Sequence, residues 1–431
     1  MHGTHAAAEG CNWSRSPYHV ALGFLVFQAI TTPIMTRITD IERTRSEFEA
    51  IRRDIHAHPE LRYEEHRTAD LVAAKLEQWG IPVTRGLGRT GVVGTITAGS
   101  SKRAIGLRAD MDALPLQEQN TFAHRSVHDG KMHACGHDGH TAMLLSAAHH
   151  LAQTRNFDGT VHVIFQPAEE GGGGAREMIA DGLFKQFPCD AVFGMHNWPG
   201  LRVGAFGVRK GPIMASSNEF CITVHGKGCH AGLPHYGNDP LFTATQIISA
   251  LQSIVTRNKR PIDNAVLSIT QFHGGDATNI VPDSVWFGGT VRTFTLDVLD
   301  LFETRMEQIA RSVAAAFDCT ITFEFQRNYP PTINSAAEAE FAAGVMHELV
   351  GEDNTLSDVE PSMGAEDFAF MLLEKPGCYV FIGNGEGEHR DAGHGLGPCV
   401  LHNPSYDFND EILTLGASYW VRLAEKWLAR P

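Results

Sequence analysis

The first half of the chain alternates between two hydrophobic patterns. Apolar residues at helical spacing with charged residues between them predict amphipathic helices, whereas short apolar runs bounded by polar residues predict strands. The predicted helices cover 40–58, 64–79, 140–154 and 176–179, and the predicted strands cover 104–108, 161–165 and 191–195. This alternation predicts an α/β fold in which a mostly parallel sheet has helices on both faces.

The pattern changes near residue 214. From there the predicted order is strand, helix, strand, strand, helix, strand, which is the ferredoxin-like α+β arrangement. These elements cover 219–224, 240–255, 265–272, 285–293, 299–317 and 320–325. Helical patterns then return at 341–350 and 409–428. The sequence therefore predicts a main domain in two parts, 35–213 and 328–431, with an inserted domain, 214–327, between them.

Residues 1–34 differ from the rest of the chain. Their apolar run, 20–30, is too short to cross a bilayer as a helix, although it has the length of a signal-peptide core. Arg15 is the only strong positive charge before the run, and no A-x-A cleavage site follows it. We therefore expect a disordered N-terminal extension rather than a signal peptide, and a cytoplasmic protein. The eight cysteines, which include no CxxC pair, fit reduced thiols in that compartment.

Composition narrows the classes of function. At about 150 residues per domain, a chain of 431 residues fits two or three domains. The 35 Lys and Arg residues against 50 Asp and Glu residues give a net charge of −15, which argues against a nucleic acid or an anionic membrane as the partner. Histidine is the unusual component, because seven of the 23 lie within 124–150. Such bunching calls for a chemical explanation.

Polar clusters follow three predicted strands, at the edge where ligands bind in parallel sheets. Acidic pairs follow the first two strands, a histidine follows the third, and a loop rich in histidine lies between the first and the second. In order, these residues are Asp110 and Asp112, the loop HACGHDGH (133–140), Glu169 and Glu170, and His196.

The loop and the second acidic pair indicate a metal site. In an extended loop Cys135 and His137 point the same way about 6.5–7 Å apart, so that each could bind one of two ions. Neighbours such as Glu169 and Glu170 face opposite sides of an extended chain, so one can bind metal while the other acts as a general base. A set of Cys, His and Glu favours zinc, nickel, cobalt or manganese. We predict Cys135, His137, Glu170 and His196 as metal ligands.

The motifs of the chain resemble those of the metal-dependent amidohydrolases that include hippurate hydrolase, the indole-acetyl-amino-acid hydrolases and N-acetyl-diaminopimelate deacetylase, relatives of carboxypeptidase G and aminoacylase. The matching stretches span nearly all of 50–410. They are HPELRYEE (58–65), GLRADMDALP (106–115), HACGHDGHTAML (133–144), QPAEEGGGGA (166–175), GMHNWP (194–199), GCHAGLPH (228–235), NIVPD (279–283), GTVRTF (289–294), MGAEDFAF (363–370) and LHNP (401–404). The resemblance implies a zinc-exopeptidase-like catalytic domain with an inserted lid or dimerisation domain.

Residue roles also follow from the resemblance. It implies two divalent metal ions, with Cys135 as the bridging ligand and Glu169 as the general base. The remaining ligands would be His137, Glu170, His196 and His402, and Asp112 would orient a ligand. His230 would be catalytic, holding the oxyanion, and in dimeric relatives this histidine reaches the active site of the neighbouring subunit. Asn279 and Arg292 would bind the substrate. Without the resemblance, His230 is better explained as a loop histidine and Arg292 as a solvated strand arginine.

The implied activity is metal-dependent hydrolysis of the amide bond of N-acyl amino acids, hippurate-like or N-acetylated, by a homodimer. The metals would be Mn, Zn, Ni or Co, and Glu169 would take a proton from the attacking water. One alternative is a metal-free thiol hydrolase with Cys135 as nucleophile and His137 as base, although catalytic partners usually come from distant segments. Another is a non-catalytic small-molecule binding protein on the same fold, against which the intact Glu169 and Glu170 argue. The acyl group and the native metal stay open.

Overall fold

The computed structural model describes residues 37–390 and 393–429, which belong to one compact unit. The predicted N-terminal extension, 1–34, lies outside the described residues. Within them, no helix has the length and apolar character needed to span a membrane. The α-helices are α1 (Thr39–Arg43), α2 (Arg45–Ala57), α3 (His66–Gln78), α4 (His137–Thr154), α5 (Gly174–Ala180), α6 (Leu183–Gln186), α7 (Pro240–Ser253), α8 (Leu296–Ala316), α9 (Ala336–Val350), α10 (Ala369–Glu374) and α11 (Leu413–Trp427). The strands are β1 (Val83–Leu87), β2 (Gly91–Ala98), β3 (Ala104–Asp110), β4 (Gly159–Gln166), β5 (Ala191–Pro199), β6 (Phe206–Gly207), β7 (Gly211–Met214), β8 (Ser217–His225), β9 (Cys229–His230), β10 (Ala265–His273), β11 (Ile280–Val281), β12 (Ser284–Thr293), β13 (Thr320–Tyr329), β14 (Thr332–Asn334), β15 (Thr355–Leu356) and β16 (Gly377–Gly385).

The larger sheet follows the order β1-β2-β4-β3-β5-β16-β6-β15 in the described part of the chain. Its central strands β4, β3, β5 and β16 run parallel, whereas β2 is antiparallel to β4 and β6 is antiparallel to β16. The prediction of an α/β fold with a largely parallel sheet is confirmed. The hydrophobic pattern misses β1 and β2, because glycines interrupt their apolar runs, and it also misses β16, although the apolar run 378–382 of that strand is uninterrupted.

Helices cover both faces of this sheet. Along β4, Val163 and Phe165 pack into the core that α2, α4 and α11 form on one face, whereas Ile164 packs with α5 and α10 on the other. Each such side chain contributes about 1.5–3 kcal/mol when it is fully buried. Because both faces are buried, the strands are fixed, and the loops at their carboxyl ends start from fixed positions.

The smaller sheet has the order β10-β12-β8-β13 and is antiparallel throughout. Numbered by their order along the chain, the four strands lie in the sheet in the order fourth, first, third, second. Helices α7 and α8 pack on one face of this sheet and form a separate core with it. The predicted ferredoxin-like arrangement is confirmed. β7 precedes the first strand of this sheet in the chain and β14 follows its last strand. These two strands pair with each other, so the segments that lead into and out of the smaller sheet lie side by side. The domain boundaries at 214 and 327 stay predictions.

Candidate active site

A cavity of about 540 Å³ opens at the carboxyl ends of β4 and β5. It brings together residues from widely separated parts of the chain, including most of the predicted metal ligands. Its lining includes Cys135, Glu169, Glu170, His196, Trp198, Met214, Arg292, Tyr329, Glu366, Leu401 and His402. We call this cavity the cleft.

Cys135 and His196 face each other in the cleft. The thiol Sγ lies 3.3 Å from Nε2 of His196, and both side chains are buried. The other ring nitrogen, Nδ1, lies 2.6 Å from the carbonyl oxygen of Asn197 and donates to it when protonated. This hydrogen bond leaves Nε2 with its lone pair toward the thiol, as in a metal-binding imidazole.

His137 lies directly beneath the cleft and is fully buried. Its Nδ1 is 2.8 Å from the carbonyl oxygen of Asp112, whereas its Nε2 has no hydrogen-bond partner among the described residues. The prediction of an extended chain at 135–137 is wrong: α4 begins at His137, three residues earlier than expected, and Gly136 has the left-handed φ of 91°. That bend brings ligand atoms of Cys135, His137 and His196 within 4.8 Å of one another.

Glu169 and Glu170 lie in a turn after β4, and the expectation that they face opposite sides of an extended strand is wrong. Ala168 has a φ of 54°, which bends the chain before the pair. The carboxylate of Asp112 then accepts hydrogen bonds from both glutamate backbone N–H groups, at 3.0 and 2.9 Å. As a result, carboxylate oxygens of both glutamates lie within 4.8 Å of each other and of a His137 nitrogen.

His402 reaches the cleft from a loop near the C-terminus. It has a left-handed φ of 60°, and its backbone N–H donates to the carbonyl oxygen of Ala134 at 2.8 Å. This contact ties its loop to the segment that carries Cys135. Its Nε2 lies 3.2 Å from Oε1 of Glu170. The position of His402 depends on this long-range contact, which leaves no trace in the local hydrophobic pattern.

Buried negative charge dominates the electrostatics of the cleft. Burial, followed by the charges of Glu366 and Glu170, raises the pKa of Glu169 well above its usual value. Burial, followed by Glu170, likewise raises the pKa of the Cys135 thiol. For His137 burial is the largest single effect and opposes protonation, but the carboxylates of Asp110, Asp112 and Glu170 together outweigh it and raise the pKa to about 10. Each shift has the direction that a shortage of positive charge produces.

The residues fit two divalent cations. Candidate ligand groups are Cys135 with His137 and His196, and Cys135 with Glu170 and His402. The two groups share Cys135, the arrangement that a bridging thiolate requires. The buried, unpartnered Nε2 of His137 supplies a free donor, and cations would compensate the excess carboxylate charge. Sulfur, imidazole and carboxylate donors together suit zinc or a similar transition ion.

A buried polar network lies behind the ligands, and the sequence reasoning did not identify it. Asp110 bonds Nδ1 of His140 at 2.6 Å, and the backbone N–H of Asn197 donates to Nε2 of the same ring. On the other side, the guanidinium of Arg108 donates to Asp110 and, at 2.8 Å, to Glu366. The sequence signals were the pair Asp110-Met111-Asp112 and the adjacent acids at 366 and 367. Only the fold shows that they meet.

Arg292 is the one predicted substrate-binding residue that lies in the cleft. It belongs to β12 of the smaller sheet and is half-buried. Burial lowers its pKa, with Glu219 acting in the opposite direction, and an arginine remains charged under these conditions. Among the described residues its guanidinium has no salt-bridge partner. A cation on the cleft wall without an internal carboxylate is available to an anion.

His230 and Asn279 lie elsewhere. Both are exposed and line a separate cavity of about 870 Å³ on the smaller sheet's side, which we call the distal face. They belong to neighbouring segments, since β9 pairs with β11 and the N–H of Ala231 donates to the carbonyl oxygen of Asn279 at 2.9 Å. Within the described part of the chain, neither residue reaches the cleft.

A largely parallel sheet with Cys, His and Glu donors clustered at its carboxyl edge is the architecture of a metal-dependent hydrolase. A family model described as Peptidase family M20/M25/M40 matches residues 106–426. The chain belongs to this family.

Two curated relatives and one solved structure illustrate the likeness. A hippurate hydrolase of Campylobacter jejuni is 44% identical over 394 residues, which are 91% of this chain and 100% of the relative. An N-acetyl-L-cysteine deacetylase of Bacillus subtilis is 38% identical over 379 residues, 88% of this chain and 87% of the relative. A crystal structure of a Bacillus subtilis dinuclear metal-binding peptidase of the M20 family aligns with a TM-score of 0.77 at 34% identity, covering 90% of this chain and 99% of that one.

Proposed function

We propose that this enzyme hydrolyses the amide bond of N-acyl amino acids, releasing a carboxylic acid and a free amino acid. The observation that carries the proposal is the convergence of Glu169, Glu170 and His137, whose ligand atoms lie within 4.8 Å of one another. A carboxylate that is not needed as a ligand stands beside carboxylate and imidazole donors, which is the arrangement a general base requires. The relatives named for hippurate and N-acetyl-L-cysteine support this substrate class.

In the proposed site, Cys135, His137, Glu170, His196 and His402 hold two ions, each Mn, Zn, Ni or Co. Such ions lower the pKa of water and polarise a carbonyl group when they are bound. Glu169 takes the proton of the attacking water and passes it to the leaving nitrogen. Asp112 holds the backbone of the Glu169–Glu170 turn and the ring of His137, which keeps base and ligand in fixed relative positions.

Arg292 binds the α-carboxylate of the substrate, because a planar guanidinium grips a carboxylate through two parallel hydrogen bonds. At a net charge of −15, this local cation is needed to hold an anionic substrate. In contrast, the distal face acts on a second copy of the chain in a homodimer. The N–H of Gly232 donates to Nδ1 of His230 at 3.0 Å, so the neutral ring carries its proton on Nε2. His230 and Asn279 then donate hydrogen bonds to the substrate carbonyl in the neighbouring cleft.

The two alternative functions fit the geometry less well. For a thiol hydrolase, the nucleophile needs a lowered pKa and a base, whereas the pKa of Cys135 is raised and the imidazole facing it is His196 rather than His137. A purely binding protein does not need a buried carboxylate at Glu169. We also propose that the enzyme works in the cytoplasm, in agreement with its unpaired cysteines in the described residues.

The test is the variant Glu169→Gln, assayed on N-benzoyl and N-acetyl amino acids after loading with one metal at a time. Removal of the base should lower kcat by about 10²- to 10⁴-fold, while two metal ions per chain stay bound. Glu177→Gln is the matched control, since that carboxylate lies on α5 outside the cleft and is 43% exposed. Wild-type turnover in Glu169→Gln would contradict the assignment of the base. Activity that survives chelation but not thiol alkylation would favour the thiol hydrolase.

A further inference from the structure

The peptide between Glu169 and Glu170 is held at both of its polar ends. Its N–H, which belongs to Glu170, donates to Oδ2 of Asp112 at 2.9 Å. Its carbonyl oxygen, which belongs to Glu169, accepts a hydrogen bond from the Tyr329 hydroxyl at 2.6 Å. The plane of this peptide sets the directions in which the proposed base and the proposed ligand leave the backbone. The carbonyl oxygen also accepts a hydrogen bond from the N–H of Gly171 at 2.7 Å, so Tyr329 is the side-chain donor of two donors at this end.

Tyr329 also closes the turn that follows. Its hydroxyl accepts a hydrogen bond from the N–H of Gly173 at 3.0 Å, so one oxygen connects the carbonyl of Glu169 to a residue four positions further on. Gly171 and Gly173 have left-handed φ values of 77° and 72°. Glycine adopts such conformations at little cost but does not hold them. Backbone hydrogen bonds hold part of the turn, from the N–H of Gly171 to the carbonyl oxygen of Glu169 at 2.7 Å and from the N–H of Gly174 to that of Ala168 at 3.1 Å. The Tyr329 hydroxyl supplies the side-chain part.

The ring of Tyr329 is anchored at the end of β13 in the smaller sheet. Tyr329 is the last residue of β13 and pairs with Ser217 of β8. Its ring is buried, lies 6.0 Å from the ring of Phe370 and lines the cleft. Pro330 and Pro331 follow it before β14. The hydroxyl therefore comes from a position fixed by the smaller sheet and by packing against α10.

We infer that Tyr329 is a positioning residue for Glu169, and this inference rests on the proposed function above. The hydroxyl holds the carbonyl of Glu169 from the smaller sheet's side while Asp112, in the loop that follows β3, holds the adjoining N–H. Neither residue touches the reacting atoms in this assignment. Together they keep the carboxylate of Glu169 aimed at the attacking water, and a displacement of about 1 Å there is enough to slow an oriented reaction about 100-fold.

The test is Tyr329→Phe, which removes the hydroxyl and keeps the ring. We expect kcat to fall about 10- to 100-fold with KM unchanged, and two metal ions per chain to stay bound with an unaltered visible spectrum of the cobalt form. Amide hydrogen exchange at Gly173 should become faster, because its acceptor is lost. Tyr419→Phe is the matched control: that hydroxyl is buried, yet it has no hydrogen-bond partner among the described residues. It should leave kcat and exchange at Gly173 unchanged.

Glu169→Gln, measured in parallel, separates the two levels of the proposal. If Glu169→Gln loses turnover and Tyr329→Phe keeps the wild-type kcat, the positioning role is overturned and the proposed function stands. If Tyr329→Phe loses metal or its cobalt spectrum changes, its role is structural and the inference is overturned. If Glu169→Gln keeps turnover, the proposed base fails and the inference fails with it. A lower kcat with retained metal, unchanged KM and faster exchange at Gly173 supports the inference.

Discussion

The cleft and the distal face are built in opposite ways. In the cleft, Cys135, His137 and Glu169 are buried, and the backbone or ring of each glutamate and histidine is held by a neighbouring group. On the distal face, His230 and Asn279 are exposed, and only a short two-stranded ladder connects their segments. One set is complete within a single chain. The other lies exposed on the surface of that chain.

This difference shows how the same resemblance can point to two kinds of residue. The ligand set converges because the parallel strands β3, β4 and β5 end at one edge of a buried sheet. His230 lies in β9 and Asn279 next to β11, which form a separate two-stranded ladder, and both residues face solvent. In a homodimer, His230 and Asn279 on the distal face could contact the second chain without any change in the cleft of their own chain.

Metal removal is the largest effect that we expect, and it should be confined to the cleft. Stripping the ions leaves uncompensated carboxylates around His137, so turnover should be lost completely and the midpoint of thermal unfolding should fall. Hydrogen exchange should increase at 133–137 and 168–173 but not at 228–232. Reconstitution with a single divalent metal should restore turnover. Full activity in metal-free protein would contradict the assignment of the cleft as a metal site. Increased hydrogen exchange at both the cleft and the distal face would mean that the metals do not stabilise the cleft alone.

The sequence predicts the cleft better than the geometry inside it. Strand ends place Asp112, Glu169 and His196 at one edge of the sheet, and the structure brings all three there. The extended geometry expected at 135–137 and 169–170 is wrong, because Gly136 and Ala168 take left-handed conformations that a hydrophobic pattern does not encode. His402 arrives through a contact between distant segments. Such contacts depend on tertiary packing, which spacing along the chain cannot reveal.

In the smaller sheet, the order of the elements is easier to predict from the sequence than the placement of individual side chains. Its strand and helix order is predictable because its amphipathic pattern is regular, and the order of its strands in the sheet follows the expected arrangement. Yet the sequence places Asn279 and Arg292 together as substrate-binding residues and sets only His230 apart, as a catalytic residue. The structure separates them, since Arg292 on β12 faces the cleft and the other two face away from it. Facing and exposure are properties of the folded sheet.

A mixing experiment tests whether the two regions belong to different chains of one active site. His230→Ala should lower kcat by about 10²- to 10³-fold, the usual cost of losing an oxyanion donor. Mixed with Glu169→Gln and allowed to exchange subunits, it should regain activity. Each mixed dimer then contains one intact site, made of Glu169 from one chain and His230 from the other. At equal amounts, about a quarter of the wild-type activity should return.

The control for this experiment is the mixture of Glu169→Gln with a second cleft variant, Glu170→Gln. Both substitutions then lie in the same region, so no mixed dimer contains an intact cleft and no activity should return. Recovery of activity in that control would mean that the neighbouring chain can also supply residues of the cleft. No recovery with His230→Ala, despite proven subunit exchange, would place His230 at its own chain's cleft or outside catalysis.

The substitution Arg292→Lys should have the smallest effect. It tests whether the smaller sheet contributes to the cleft of its own chain, because Arg292 belongs to β12 of that sheet but lies in the cleft. Lysine keeps the charge and loses the paired hydrogen bonds, so KM should rise about 10-fold with little change in kcat. A substrate whose α-carboxylate is replaced by a carboxamide should already bind weakly to the wild-type enzyme and should respond little to the substitution. Equal losses for both substrates would mean that Arg292 shapes the cleft without contacting the carboxylate. In that case the smaller sheet would contribute packing to its own chain's site and recognition only to its neighbour's.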